Sequence, residues 1–406
     1  MYPLVNTIAV VATGMPGITG YIYPNEFELQ WSLLIVLYPY LTGLVAGAFI
    51  LASLERVFNV KSIMPVYRLS LLTALAFLLV APLPLLAHLG HPERAHEMFL
   101  TPHTQSAMAM FGFVYAWYLM VVLLLEVWFD YRRNIVIWSN EKKGVTRFLY
   151  KILTLGATDL SERSIQFDNK AGRLITIIGI PSAFLLHGYV GFIFGSVKAN
   201  PWWSSVLMPI VFLFSAIVSG IALVLLIYIV TSMVRWKQIN MACVNKLAEL
   251  LLYAMIVDFS LELLDFIQRL YESEESIAIL SQMVSSRLFI SLIVTQIIIG
   301  SLLPMVSIIA ARFGRLPDEM RRIMYFLAAI LVQVGIFSTR WNVVIGGQLF
   351  SKSLRGLTVY KLELFGLEGV FMTGFLLILP FVILYVLTKI LPPWTEREQS
   401  IVSIND

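Results

Sequence analysis

The stretch Tyr38-Pro39-Tyr40-Leu41-Thr42-Gly43-Leu44-Val45-Ala46-Gly47-Ala48-Phe49 lies inside an apolar run, residues 30–54, that carries no charged side chain. A bilayer core about 30 Å thick is crossed by about 20 residues of helix, so this run reads as one membrane span. Its Gly43, Ala46 and Gly47 are the kind of small residues that let two membrane helices approach closely. Outward from it, eight further runs have the same character: 67–88, 105–129, 174–197, 206–234, 247–270, 288–311, 323–339 and 365–390. The whole chain agrees. It has 406 residues, 59% of them apolar and only 13% charged, with a mean hydropathy of +0.82. A soluble domain needs roughly twice that charge on its surface, so the fold class is an all-α polytopic membrane protein.

The 29 Lys and Arg residues fall outside or at the very edge of these runs, which predicts that no span holds a basic residue in its interior. Assigning the loops alternately to two sides places 8 of them with the N-terminus and 21 opposite, so the N-terminus is expected outside and the C-terminus in the cytoplasm. Residues 4–15 are apolar but short, and read as an interfacial or re-entrant segment. In the first span, Leu41-Thr42-Gly43-Leu44-Val45-Ala46-Gly47 is echoed 173 positions later by Phe214-Ser215-Ala216-Ile217-Val218-Ser219-Gly220 in the fifth. This suggests two parallel four-helix bundles with a ninth helix appended. The expected organisation is an outer segment 1–29, a first bundle 30–197, a second bundle 198–340, and an outer loop, last helix and cytoplasmic tail 341–406.

Composition also removes several chemistries. With Cys243 as the only cysteine there is no disulfide framework, no thiolate-held iron–sulfur or zinc centre and no c-type haem site. A net charge of +4 does not suit a nucleic-acid binder. His88, His91, His96 and His103 cluster in one connection, with spacing that matches no standard zinc site. Only His187 lies within a span, so paired axial histidines for a haem b are not expected, and no metal site is predicted.

The chemistry is expected on two surfaces. Asp258, Glu262 and Asp265 stand at i, i+4 and i+7 on one face of the sixth span, with Arg269 continuing the stripe. Carboxylates at that depth usually face the bundle interior or a wet path, which suits proton transfer; the plainer alternative is a polar packing seam. Glu126 and Asp130, beside Arg132 and Arg133, read as an interfacial salt-bridge girdle. On the outer side, Trp31, Tyr38 and Thr42 share a face of the first span, His187 and Tyr189 are near neighbours on the fourth, and Trp202 and Trp203 follow. Trp and Tyr form interfacial belts in most membrane proteins. A phenol, an imidazole and aromatic walls at one depth would also suit a quinone, whose flat ring wants apolar faces and whose carbonyls want donors.

Five stretches, in order and with the right spans between them, resemble the NrfD/PsrC-like membrane subunits of quinone-linked respiratory complexes. They are Tyr40 through Phe49, Leu89-Gly90-His91-Pro92-Glu93-Arg94, His187-Gly188-Tyr189-Val190-Gly191, Asn200-Pro201-Trp202-Trp203, and Arg340-Trp341-Asn342-Val343-Val344-Ile345-Gly346-Gly347-Gln348. The last of these and the ninth helix are most similar to the DsrP/HybB branch. The resemblance implies a subunit with no haem or iron–sulfur cluster of its own. It further implies bound menaquinone or menaquinol near the outer face, and an extracytoplasmic ferredoxin-like iron–sulfur partner with cytochrome and further membrane subunits. Tyr38 stands where the polysulfide reductase subunit has a quinone-contacting histidine, Tyr189 falls on the family's quinone-contacting tyrosine, and His88 replaces a frequent aspartate. The expected quinone contacts are thus Tyr38, Thr42, His88, His187, Tyr189 and Trp202, with protons leaving through His187, Tyr189 or the Asp258, Glu262 and Asp265 stripe. The expected location is the plasma membrane of a prokaryote. The rival reading is a secondary transporter or proton channel built on the same carboxylates.

Overall fold

The computed structural model describes residues 18–26, 29–101, 103–272 and 276–394, and shows a helical bundle. Eight of the expected spans are helices long and apolar enough to cross a membrane. They are α1 (Leu33–Arg56), α2 (Lys61–His88), α3 (Ala109–Glu141), α4 (Glu162–Gly195), α5 (Met208–Val234), α7 (Phe289–Phe313), α8 (Asp318–Leu349) and α9 (Val370–Ile390). The sixth run folds as α6 (Met241–Glu272), 32 residues long, whose five carboxylates set it apart from the apolar eight. The segment 4–15 lies outside the described residues.

Burial ranks the helices. In α1, 89% of the apolar window is buried, against 22% in α9, so α1 is the axis and α9 a peripheral helix laid against α2. The two echoed motifs meet at that axis. A Cβ on Gly47 would collide with the Ala216 carbonyl oxygen, and one on Gly220 with the backbone of Gly47. Backbones therefore touch where α1 crosses α5, and dispersion across that seam replaces the hydrophobic drive that lipid removes. Gly300 and Gly335 do the same for α7 and α8.

Several helices are not regular. α2 begins with a 3-10 turn at Lys61–Val66 and breaks after Val80, where Pro82 and Pro84 interrupt the backbone ladder. α3 contains a π-turn at Tyr118–Leu123, and α7 opens with a 14-residue π-helix, Phe289–Leu302. Such wide turns often accompany functional sites.

The structure corrects two expectations about the eighth span. It does not end at 339: the helix continues to Leu349, so residues 341–349 are helical and not part of an outer loop. Arg340 is fully buried inside it, which overturns the reading that no span holds an interior basic residue. The helix continues because Gly346 and Gly347 are packing surfaces. Trp203 lies against Gly347 and donates to the Val343 carbonyl at 2.6 Å, while the Asn200 amide donates to the Gly347 carbonyl at 2.8 Å. Beyond α8, a two-stranded antiparallel ribbon joins β1 (Thr19–Tyr21) to β2 (Arg355–Leu357). Gly20, at φ +73, allows the close register with Gly356.

Candidate functional site

Four helix segments converge beside the loop that carries Trp202: the start of α5, the C-terminal half of α6, the π-helix of α7 and the end of α8. Between them lies a cavity of about 200 Å³. Phe212, Phe259, Phe266, Leu292 and Val343 form apolar walls, and Glu262, Asp265, Arg269, Gln296 and Asn342 supply the polar groups. Leu263, one of its lining residues, is half exposed on the outer surface of the bundle.

The polar groups are chained. Glu262 accepts from the Gln296 amide at 3.1 Å, Gln296 accepts from the Asn342 amide at 2.7 Å, and the Asn342 carbonyl accepts from the Trp202 indole at 2.8 Å. Arg269 donates to the Trp202 carbonyl and to Asp265, and Ser205 donates to the other oxygen of Asp265. Asp265 is thus neutralised at the mouth, holding the Trp202 loop onto α6.

A second polar group lies deeper. His187 on α4 sits 3.3 Å from the Thr42 hydroxyl through Nδ1 and 3.1 Å from Arg340 through Nε2. Its ring stacks on Phe212, one of the cavity walls, and the Arg340 guanidinium lies 4.2 Å from the centre of the same ring. Arg340 also donates to the Ser215 hydroxyl at 2.5 Å, while its Nε and one terminal nitrogen have no partner among the described residues. Asp258, one turn from Glu262, is buried with one carboxylate oxygen unpartnered. Asp258 and Glu262 are near enough to feel the charge of Arg340, yet neither forms a direct ion pair with it. Buried charges left apart in this way leave room for water or a ligand between them.

Of the residues expected from the sequence, Trp202, Glu262 and Asp265 line the cavity; His187 and Thr42 belong to the deeper group, with Asp258 nearby. The others lie elsewhere. Tyr38 and Tyr189 stand on either side of Phe111, edge-on and stacked, with the Tyr38 hydroxyl buried and unpartnered. His88 lies 3.0 Å from a Glu368 carboxylate oxygen, where the end of α2 meets the segment before α9. The girdle at the other end of the bundle is present with different partners: Asp130 bonds Arg56 and Arg68, Arg132 bonds Asp168, and Glu126 accepts from Thr176. Among the described residues, no three His, Cys, Asp or Glu side chains gather as a metal site.

Sequence reading missed Arg340, Gln296 and Asn342 as site residues. The signals were an isolated glutamine in an apolar run, and an Arg-Trp-Asn triplet followed by residues as apolar as the span before them.

Comparison with known proteins adds a family. The family model described as polysulphide reductase, NrfD, matches residues 24–352. A selenate reductase subunit of Mesobacillus selenatarsenatis is 32% identical over 78% of this chain and 73% of its own length. The Hdr-like menaquinol oxidoreductase integral membrane subunit of Archaeoglobus fulgidus is 24% identical over 89% of this chain and 83% of its own. A protein NrfD homolog of Haemophilus influenzae is 23% identical over 80% and 98%.

Proposed function

The chain belongs to the polysulphide reductase NrfD family, and from that membership we propose that it is the quinone-interacting membrane subunit of a respiratory redox complex. The single observation that carries this reading is the cavity between α5, α6, α7 and α8: aromatic and aliphatic walls, a half-exposed Leu263 in the lining, and Glu262, Gln296 and Asn342 hydrogen-bonded to one another. Menaquinol enters from the bilayer and supplies two electrons and two protons on oxidation. The electrons pass to an extracytoplasmic ferredoxin-like iron–sulfur subunit, with cytochrome and further membrane subunits in the same complex.

The chain's own residues bind and move protons. The Gln296 and Asn342 amides orient the headgroup edge, and Phe212 and Phe259 hold its faces. Glu262 accepts a proton and can pass it to Asp258, one turn along the same helix face. Arg340, held by His187 and Ser215, stabilises the carboxylates whenever they are ionised. Tyr38, Thr42, His88 and Tyr189 remain proposed contacts of a second face, reached from Phe111.

A photoreactive naphthoquinone tests the site. Labelling of α6 and α7 near Phe259 or Leu292, suppressed by menaquinone, is the expected result; labelling confined to α1 and α4 near Tyr38 and Tyr189 overturns the cavity in favour of that second face. Reporter fusions test the side: activity in the cytoplasm after Asp406 and outside at residues 197–205 is expected from the 21-to-8 basic asymmetry. Copurified iron–sulfur and cytochrome polypeptides test both the partners and the placement beside the DsrP/HybB branch.

A second reading is favoured by the unpartnered oxygen of Asp258: a proton path or transporter that does no quinone chemistry. A chain that purifies alone, moves protons in vesicles and is indifferent to quinone supports it.

A further inference from the structure

At the opposite end of α5 from the quinone cavity, about twenty residues and so roughly 30 Å of helix away, is a larger cavity of about 400 Å³. It lies where α2 begins, α5 ends and the chain leaves α9. Its charged lining is Arg68, Arg235 and Lys237, and among the described residues no carboxylate lines it. Arg68 is already committed to Asp130 at 2.7 Å. Arg235 and Lys237 have no such anion: among the described residues neither forms a salt bridge, and both are exposed at the mouth.

The setting selects the ligand. The Arg235 guanidinium carbon lies 3.5 Å from the centre of the Trp394 ring, a cation–π contact that holds the fork in place. A fork held in this way matches the oxygens of a phosphate better than a lone point charge does. Tyr228, Thr231 and Ser232 add hydroxyls to the wall, and Met64, Pro65 and Leu69 make an apolar floor at a helix end where a membrane surface would lie. We propose that this cavity binds a phosphate group, carried by an anionic phospholipid headgroup or free in solution. Basic pockets between helix ends at a charged membrane face are suited to that chemistry, and the apolar floor would take the glycerol and first methylenes of a lipid.

The test uses the full chain in its purified complex, stripped of lipid by detergent. Phosphatidylglycerol and phosphatidylcholine are each titrated in mixed micelles, with retained lipid counted by native mass spectrometry, and inorganic phosphate is titrated separately by thermal melting. Phosphatidylglycerol retained preferentially by the parent chain, and bound roughly thirty-fold more weakly by the R235Q/K237Q variant, establishes the lipid source; each basic contact at a charged surface contributes roughly five-fold. A melting shift with inorganic phosphate that the variant loses establishes the free-phosphate source. If the double variant does not accumulate, the exposed single substitution K237Q reads the five-fold step alone. Equal binding by parent and variant overturns the proposal. So does binding that appears only after E396Q/E398Q, which would show the chain's own acidic tail to be the occupant.

Discussion

The bundle holds two buried sets of arginines and carboxylates, and they are built in opposite ways. In the girdle, Asp130 takes Arg56 at 3.2 Å and Arg68 at 2.7 Å; Arg132 takes Asp168 at 2.6 Å, the Ser164 hydroxyl at 2.7 Å and the Asp159 carbonyl at 2.7 Å. Around Arg340, by contrast, a single guanidinium nitrogen serves both His187 and Ser215, while among the described residues the other two bond nothing and one oxygen of Asp258 has no partner. A saturated network is one in which each group's alternatives have been removed, so its residues can only hold the structure. An unsaturated one keeps an opening for water, protons or ligand. The difference separates a closed network from an open one within a single bundle.

The comparison breaks first, and with the largest effect, on stability. Asp130→Asn leaves two buried guanidinium groups without their anion, and stranding a buried partner costs about 3 to 5 kcal/mol. The variant should accumulate poorly in membranes and melt well below the parent. Asp258→Asn should melt with the parent, because no ion pair is lost; equal destabilisation of the two variants would erase the distinction. The next effect is on rate. Glu262→Gln keeps a hydrogen-bonding group beside Gln296 but cannot take a proton, so quinol oxidation should fall by roughly 10² to 10⁴ with headgroup affinity little changed. A parent-like rate in stopped-flow measurement would return the α6 stripe to the category of packing seams.

His187→Gln sharpens the contrast at a smaller scale. Loss of a buried hydrogen bond, of about 1 to 3 kcal/mol, should slow turnover while the complex still assembles. His96→Gln, on the exposed connection, should be silent in the same assay, and matching losses at both would point to folding damage. The smallest effect belongs to the exposed pair Arg94 and Glu97, joined at 2.9 Å. The Arg94 guanidinium holds the Glu97 carboxyl below the usual carboxylate range. A depressed folded value means that its contribution is present above the unfolded value of about 4.3 and is lost as pH falls through the folded one. Glu97→Gln should therefore melt almost with the parent at neutral pH, and the small gap should close on acidification.

How much of this was legible depended on whether a signal is local. The spans were legible because hydropathy integrates over twenty residues, and the α6 stripe because three carboxylates at i, i+4 and i+7 declare a face without reference to any other helix. The meeting of Gly47 and Gly220 was half legible: the two motifs are visible in the chain, while their mutual contact is tertiary. Arg340 was not legible as a core residue. A charge after a run of apolar residues ordinarily marks a membrane edge, and the groups that make its burial tolerable, the Ser215 hydroxyl, the His187 ring and the Phe212 face, come from other helices. The π-turns left no local trace, since one extra residue per turn does not change composition. The proposed quinone contacts divided between cavity, deeper core and the Phe111 wall for the same reason: sequence spacing ranks residues along a helix but does not say which neighbour each face meets.

The electrostatic influence of α8 on α6 also sets a timetable for synthesis. Asp258 and Glu262 leave the ribosome about eighty residues before Arg340 does, with all of α7 between them. A carboxylate at the centre of an inserting helix costs about 2.5 to 3.5 kcal/mol on insertion scales, and this helix meets that cost before the charge of Arg340 is present. During that interval α6 must be sheltered by the insertion machinery or stay protonated, and the second half of the protein can lock only as a unit once α8 arrives. Nascent chains arrested before α8 should accordingly be far more sensitive to membrane proteases than chains arrested just after it.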